Sequence, residues 1–191
     1  MCLPELFSWN AICGICLKFH LMDQGAERLV TVHESRFGKG IFATEKISKG
    51  SAIMTIHGEK LNFSDSLELG DWESYCLQVG IDRYIITEPP FRFSNHSCDP
   101  NAGINRKLEL FALRPIAKSE EIVWDYSSSM LERHWTMRCD CGSISCRRQV
   151  TDFDFLPKQT QERYLQLEIV LPFIVNYLEQ QAGSRLLVAI R

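Results

Sequence analysis

Between Leu29 and Tyr126 the sequence is a succession of short apolar runs, and this feature most limits the folds that the chain can adopt. The runs are rich in Ile, Val, Phe and Tyr, and Gly, Pro, Asn and Asp separate them. Runs of this length with β-branched and aromatic residues favour strands over helices. The pattern predicts a mostly β domain with strands near Leu29–Val32, Gly40–Ala43, Ala52–Ile56, Tyr75–Val79, Tyr84–Ile86 and Leu108–Leu113.

A different pattern begins after Tyr126. A segment rich in Cys and Arg extends to Arg148, and a helical pattern follows it. Gln161–Ile169 has the apolar spacing of one amphipathic helix. Pro172 can open a second helix through Gln181, because proline is tolerated in a first helical turn. We therefore expect α-helices appended to the β domain.

The size and charge of the chain exclude several functional classes. Its 191 residues suit one domain with a short appendage, and the composition is that of an ordinary folded protein. A formal net charge of -3 gives no general attraction to nucleic acid or to anionic membranes. We expect no direct nucleic-acid binding, and the oligomeric state stays open.

The N-terminal stretch from Cys2 to Met22 is apolar but interrupted. Pro4, Glu5 and Lys18 fall within it, so neither a signal peptide nor a membrane span is expected. An intracellular protein follows, in the cytoplasm or the nucleus. In a reducing compartment its eight cysteines more often bind metal or react than form disulfides.

Three of those cysteines form a metal-binding pattern. Cys139, Cys141 and Cys146 have the spacing Cys-x-Cys-x4-Cys on a turn that contains glycine. Three thiolates this close can converge on one Zn²⁺, but a closed structural site requires four ligands. The candidates for the fourth are Cys98, the pair Cys13 and Cys16, Cys2 and His134.

Three further segments carry chemistry, although each is a weak signal alone. Arg36–Gly40 contains two glycines that allow the backbone to approach a ligand closely. Arg92–Asn101 is a polar, turn-forming loop between apolar strands. Glu120–Tyr126 is predicted to be a strand that ends in an acid and a phenol.

Taken together and in this order, these segments resemble the SET-domain protein-lysine methyltransferases. That family has a Gly-x-Gly, an Arg-Phe-x-Asn-His-x-Cys-x-Pro-Asn loop, a Glu-x-x-x-Asp-Tyr strand and a Cys-x-Cys-x4-Cys post-SET tail in succession. The resemblance implies a SET fold, with several small curved sheets and a pseudo-knot. It divides the chain into an N-terminal extension (1–26), a SET domain (27–128), a post-SET zinc-binding segment (129–149) and a C-terminal helical extension (150–191) like that of small bacterial SET proteins.

The resemblance also implies the reaction, which is transfer of a methyl group from S-adenosylmethionine to a protein lysine. In-line displacement needs a neutral amine, whereas a free lysine is almost fully protonated at pH 7. A narrow apolar channel and the cationic sulfonium both lower the pKa of the amine, so no strong side-chain base is expected. The implied cofactor-binding residues are Gly38, Lys39, Gly40, Arg92, Phe93, Asn95, His96 and Tyr126.

Tyr126 matches the active-site tyrosine of the family, where a neutral phenol orients the amine. Trp124 stands two residues earlier, where the family usually has Phe or Tyr and where the residue influences how many methyl groups are added. His96 has two interpretations: a buried ring that ties the loop together, or an imidazole that contacts the cofactor. In family members with this tail the loop cysteine completes the metal site, which implies structural zinc held by Cys98, Cys139, Cys141 and Cys146.

Two departures keep other functions open. Ile56 stands where many members have a tyrosine, so one aromatic wall of the lysine channel is either missing or supplied from elsewhere, with Tyr84 and Tyr75 as the candidates. Together with Trp124, Ile56 favours an alternative: a catalytically weak or inactive SET domain that acts as a zinc-stabilised cofactor- or protein-binding adaptor. A third hypothesis is a metal-buffering or redox thiol protein.

The expected partner is a protein substrate that presents a lysine. The insert at residues 65–73 carries acidic residues and no basic one. An acidic surface beside the channel would attract a basic, histone-like tail, but the same residues suit a solvated surface of no specific function. The number of methyl groups and the target protein stay open.

Overall fold

The computed structural model describes residues 29–189, with side chains up to residue 182. The predicted N-terminal extension, with Cys2, Cys13 and Cys16, lies outside the described residues. In the described part, short strands predominate and helices are appended, which confirms the predicted fold class. The strands are β1 (Val30–Ser35), β2 (Gly38–Ala43), β3 (Ala52–Thr55), β4 (Gly58–Leu61), β5 (Cys76–Gly80), β6 (Arg83–Thr87), β7 (Asn95–His96), β8 (Ala102–Ile104), β9 (Glu109–Ala112), β10 (Val123–Trp124), β11 (Met137–Arg138) and β12 (Gln149–Val150).

The strands pair into small sheets. β1 and β2 form an antiparallel hairpin, and β11 pairs with β12. Two three-stranded sheets have the orders β3-β9-β8 and β4-β6-β5. β7 and β10 are far apart in sequence but pair in parallel. That parallel pair joins the polar loop at residues 92–101 to the end of the predicted Glu120–Tyr126 strand.

The predicted strand Glu120–Tyr126 is shorter in the structure, which corrects the sequence prediction. Only Val123–Trp124 is strand, while Glu121 makes one isolated bridge to Phe42. Asp125 leaves the strand and caps a 3-10 turn, Tyr126–Ser129, because its side chain accepts a hydrogen bond from the Ser127 N–H. Tyr126 therefore begins a turn rather than ending a strand.

The helices differ from prediction in their bounds. The α-helices are α1 (Phe63–Leu67), α2 (Lys158–Gln166) and α3 (Pro172–Ala189). The predicted Gln161–Ile169 helix is α2, which starts earlier and ends before Glu168, whose φ of 55° is left-handed. Pro172 opens the last helix as predicted. The described residues contain no helix that is long and apolar enough to cross a membrane.

The interior is divided into three apolar clusters. The largest lies among β2, β3, β8 and β9 and includes Ile41, Ile53 and Leu110. A second packs α2 and α3 around Phe153 and Tyr164. The third is built around the cysteines, Met130 and Val150. Because helices α2 and α3 bury large side chains, they are part of the folded core, which agrees with the appended α structure predicted from sequence.

Candidate functional site

The site begins with the parallel pairing of β7 and β10. Asn95 is opposite Val123, and His96 is opposite Trp124. The Ser97 N–H donates to the Trp124 carbonyl at 3.0 Å and extends the pairing by one residue. Residues 95–97 and 123–124, which are remote in sequence, therefore lie side by side just before the turn that begins at Tyr126.

The phenol of Tyr126 is held against the polar loop. Its hydroxyl donates to the Ser94 carbonyl at 2.7 Å, and the Trp124 indole N–H donates to the Ser94 hydroxyl at 2.9 Å. The two rings pack with their centroids 4.8 Å apart. Burial, and then the charge of Glu121, raise the pKa of Tyr126 well above its usual range. The phenol is therefore neutral at physiological pH.

A cavity of about 70 Å³ lies beside this phenol. It lies between the paired strands β5 and β6, the acidic insert and the segment after the Tyr126 turn. Both aromatic residues proposed as replacements for the missing tyrosine, Tyr75 and Tyr84, line it, whereas Ile56 is buried in the main apolar cluster. The other aromatic residues in its wall are Phe91, Trp124, Tyr126 and Trp135.

The predicted cofactor residues fall into two groups. Arg92 and Tyr126 line the cavity, and the other six do not. The Arg92 Nε donates to the Thr87 carbonyl at 2.7 Å, and its guanidinium packs on Trp72 of the insert and on Tyr75, which follows the insert. The side chain of Arg92 therefore organises the cavity wall. The remaining members cluster at the β1-β2 hairpin and β7: Gly38, Lys39, Gly40, Phe93, Asn95 and His96.

Glycine is favoured at positions 38 and 40 of this cluster for two different physical reasons. Gly38 has a φ of 94°, and a side chain there would meet nothing within 4 Å, so the backbone conformation and the open space both favour glycine. At Gly40 an added Cβ would collide with the Glu121 carboxylate and lie 3.2 Å from the Asn95 amide nitrogen. The hairpin can therefore pack directly on the polar loop.

The amide of Asn95 is oriented by the protein. Its Nδ2 donates to the Glu121 carboxylate at 2.7 Å and to the Lys39 carbonyl at 3.0 Å. Both donors are thereby used inside the protein. The carbonyl oxygen Oδ1 accepts no hydrogen bond from the described residues, which leaves it free to accept one from a ligand.

Four cysteine sulfurs converge on the other side of the loop. The Sγ atoms of Cys98, Cys139, Cys141 and Cys146 lie within 4.8 Å of one another. Cys139 Sγ is 3.7 Å from both Cys98 Sγ and Cys146 Sγ. Tetrahedral Zn²⁺ with bonds of about 2.3 Å places its sulfurs about 3.8 Å apart, so the cluster fits zinc. Of the fourth ligands considered from sequence, the structure brings Cys98 to the cluster, and Cys2, Cys13 and Cys16 lie outside the described residues.

Comparison with known families identifies the central part of the chain. The family model described as "SET domain" matches residues 38–127. Residues 38–127 form a SET domain. The match includes the hairpin glycines, the polar loop and Tyr126, so the predicted SET domain is confirmed.

Two relatives to which the chain is similar are named histone-lysine N-methyltransferases. Ash1 of Drosophila melanogaster is 29% identical over an alignment of 144 positions, which covers 67% of this chain and 6% of that protein. SETMAR of Mus musculus is 27% identical over an alignment of 180 positions, which covers 74% of this chain and 58% of that protein. The crystal structure of the human SETMAR methyltransferase domain has a TM-score of 0.54 at 25% identity, covering 64% of this chain and 58% of that chain.

Within the SET domain, His96 is a buried ring. Its Nδ1 accepts from the Tyr126 backbone N–H at 3.3 Å, which assigns the proton to Nε2, 3.3 Å from Cys98 Sγ. Burial lowers the pKa of His96 to about 4, against the opposing charge of Asp125. The ring therefore connects the phenol's backbone to the cysteine cluster, as in the first of the two interpretations.

A buried ion pair joins the SET domain to the segment after it. Asp125, immediately before the phenol, contacts Arg147 Nη1 at 2.7 Å and Nη2 at 2.8 Å. Tyr164 of α2 donates its hydroxyl to the same carboxylate at 2.7 Å. Asp125 is 1% exposed and Tyr164 fully buried. The cysteine tail and the C-terminal helices therefore meet at one carboxylate beside the Tyr126 turn.

The thiols of the cysteine cluster differ in how readily they ionise. Burial opposes ionisation of Cys141, but hydrogen bonds from the Cys98 and Ser143 N–H groups outweigh it and lower its pKa to about 6. Burial raises the pKa of Cys98 to about 11, against the nearby Arg147. A bound metal must therefore displace protons from some of these thiols.

Sequence reasoning missed several residues that line the cavity. Gln78, Glu132 and Trp135 reach it from the β5 strand and from the segment after the Tyr126 turn. Gln78 alternates with core residues on its strand, which is a weak signal for a polar side chain facing a cavity. Glu132 and Trp135 follow no motif, so their position depends on the tertiary fold.

Proposed function

We propose that this chain is an S-adenosylmethionine-dependent protein-lysine N-methyltransferase. The observation that carries the proposal is the position of Tyr126. Its phenol lines an aromatic cavity on one side, and on the other its backbone and hydroxyl are held by the loop that carries Asn95. A neutral phenol between a ligand-facing amide and an aromatic channel suits methyl transfer to an amine.

For the cofactor, we propose the surface formed by the β1-β2 hairpin and β7. The open space at Gly38 and the free oxygen of Asn95 fit the ammonium-bearing end of S-adenosylmethionine, while Phe93, over which Lys39 packs, offers an apolar face. When bound, the cofactor supplies an electrophilic methyl group on a cationic sulfur. Arg92 and His96 contribute by holding the cavity wall and the loop.

The chain's own residues prepare the lysine. Trp124, Phe91 and Trp135 line the cavity and exclude water from the amine, which favours its neutral form. The Tyr126 hydroxyl, fixed by Ser94, orients the nitrogen through its oxygen. Because the phenol's pKa is raised, Tyr126 acts by position rather than as a base.

We propose a structural role for zinc at Cys98, Cys139, Cys141 and Cys146. The site would join the post-SET segment (129–149) to the polar loop of the SET domain (27–128), with residues 150–191 as a helical extension. No coordination position is left for a substrate when four thiolates are bound, so the metal would stabilise and not catalyse.

The substrate class that we propose is a basic protein tail. The relatives are named for histone lysines, and Glu73 from the acidic insert lines the cavity beside the aromatic wall. A carboxylate there favours cationic peptides. Such a substrate places the proposed activity inside the cell, in the cytoplasm or nucleus.

The test combines cofactor binding with methyl transfer. Titration calorimetry should detect S-adenosylmethionine binding, and radiolabelled methyl groups should appear on core histones. Tyr126→Phe should keep cofactor affinity and lose about a hundredfold in transfer rate, because the amine is no longer held in line. Cofactor binding without transfer to any protein would support the adaptor alternative, and no binding at all would leave the thiol-buffer hypothesis.

A further inference from the structure

The proposed reaction requires a group that accepts one proton from the substrate lysine. A lysine side chain arrives almost entirely as an ammonium ion at neutral pH. Tyr126 is poorly suited to accept the proton, because its hydroxyl donates to Ser94 and its pKa is raised. Desolvation in the cavity lowers the pKa of the amine, so a weak acceptor is enough.

Two buried polar atoms at the cavity point to where that acceptor lies. Gln78 and Tyr84 face each other across β5 and β6 and are 3% and 2% exposed. The Gln78 carbonyl accepts from the Leu131 N–H at 2.7 Å, which fixes the amide and leaves Nε2 without a partner. The Tyr84 hydroxyl completes no hydrogen bond either. Buried donors left unpaired are costly, so this end of the cavity is built to meet an acceptor.

Glu132 is the carboxylate at this end. It lines the cavity, is half-buried, and faces the Tyr84 phenol and the Trp135 backbone N–H. Burial raises the pKa of Glu132, and the contact with Tyr84 opposes that shift. A carboxylate in this state is a better proton acceptor than one on the surface.

The other titratable groups near Glu132 are already accounted for. Glu73 is paired with His134 at 3.1 Å, and Asp152 is hydrogen-bonded to the Glu132 and Arg133 N–H groups. Burial raises the pKa of Cys76 to about 11 and that of Tyr84 still further, so both stay protonated. Of the two described carboxylates that line the cavity, Glu73 and Glu132, this leaves Glu132 as the one without a salt-bridge partner.

We propose that Glu132 receives the proton of the incoming lysine ammonium. One N–H bond of the ammonium breaks, its electron pair stays on nitrogen, and an O–H bond forms on the Glu132 carboxylate. The unpaired donors of Gln78 and Tyr84 lie at the same end of the cavity and are available to the carboxylate. The proton then leaves from the half-exposed side of Glu132 to solvent. This role rests on the proposed function and adds a catalytic residue to it.

A proton acceptor at Glu132 determines the direction in which the rate of methyl transfer changes with pH. Glu132 works in its ionised form, so wild-type turnover falls as the pH drops through its raised pKa. Glu132→Gln keeps the shape but cannot accept the proton. In that variant the rate depends on amine that is already neutral, and it rises about tenfold per pH unit towards the alkaline range.

The experiment is single-turnover methyl transfer from radiolabelled S-adenosylmethionine to core histones, from neutral to alkaline pH. Glu132→Gln should be about a hundredfold slower than wild type at neutral pH and should approach it at alkaline pH. Glu162→Gln, at an exposed position on α2 outside the cavity, is the matched control and should keep the wild-type profile. Unchanged cofactor affinity and unfolding midpoint show that both variants are folded. A Glu132→Gln profile parallel to that of wild type would overturn the proposal.

A second readout separates this proposal from the proposed function. If wild type labels no histone, the methyltransferase proposal fails for those substrates, and Glu132 is then tested by binding of n-butylammonium, a mimic of the lysine end. The fluorescence of Trp124 and Trp135 reports occupancy of the cavity. Glu132→Gln should weaken binding about tenfold, the effect of one charge-assisted hydrogen bond, while Glu162→Gln should not. Equal binding in wild type and Glu132→Gln would refute a role for Glu132.

Discussion

Ser94 is the residue on which both active-site aromatic side chains depend. Its carbonyl accepts from Tyr126 and its hydroxyl accepts from the Trp124 indole. Ser94→Ala leaves the buried indole N–H unpaired, and we expect unfolding free energy to fall by about 1–3 kcal/mol. Urea denaturation measures this loss. Ser145→Ala, at an exposed position in the cysteine loop, is the control and should change little.

Substitution of Arg147 is predicted to reduce the unfolding free energy more than substitution of its neighbour Arg148. Arg147 is 13% exposed and pairs with fully buried Asp125, whereas Arg148 is 78% exposed and contacts Asp140 at the surface. Arg147→Ala leaves a buried carboxylate without its cation and should cost about 3–5 kcal/mol. Arg148→Ala should cost less than about 1 kcal/mol. Similar unfolding midpoints for the two variants would contradict the importance of the buried pair.

At the scale of single residues, the sequence predicted which cysteines cluster more accurately than it predicted the roles of the other side chains. The four cysteines meet as the resemblance implied, whereas spacing alone had left the fourth ligand open. Arg92 instead packs on the acidic insert, and Glu132 was not predicted. Both positions depend on segments that are distant in the chain, so no local pattern reveals them.

Helix α2 is linked to the active-site turn through one hydroxyl. Tyr164 is fully buried and donates to Asp125, next to Tyr126. Tyr164→Phe removes a hydrogen bond to a charged group and should reduce unfolding free energy by about 1.5–3 kcal/mol. Tyr177→Phe, on the following helix, is the matched control. Equal stability of the two variants, measured by urea unfolding, would mean that the helices do not stabilise this turn.

The elements themselves were predictable in type but not in extent. Apolar runs gave strands, and Pro172 opened a helix as expected. The Glu120–Tyr126 strand was too long, since the Asp125 cap forms a turn that periodicity does not show. Likewise α2 ends earlier than its apolar pattern because the chain turns left-handed at Glu168. Bounds are decided by caps and by packing between elements.

For the whole molecule, the cysteine cluster joins the tail to the polar loop. We expect one zinc ion per chain by elemental analysis of protein purified without chelator. Removal of the metal should lower the unfolding midpoint, since ligand binding to the folded state contributes directly to stability. Cys146→Ser should have the same effect, and Cys76→Ser, outside the cluster, should retain zinc. A protein without zinc that keeps the same midpoint would contradict the structural role.

We propose that the SET domain and its tail together form one site for methyl transfer to lysine. The most direct measurement is mass spectrometry of histones incubated with the full chain and S-adenosylmethionine that carries a deuterated methyl group. We predict labelled methyl groups on lysine side chains, with their number and position read from the fragments, and no label from Tyr126→Phe in the same time. Cofactor binding with no labelled lysine in histones or in a whole-cell lysate would contradict the claim.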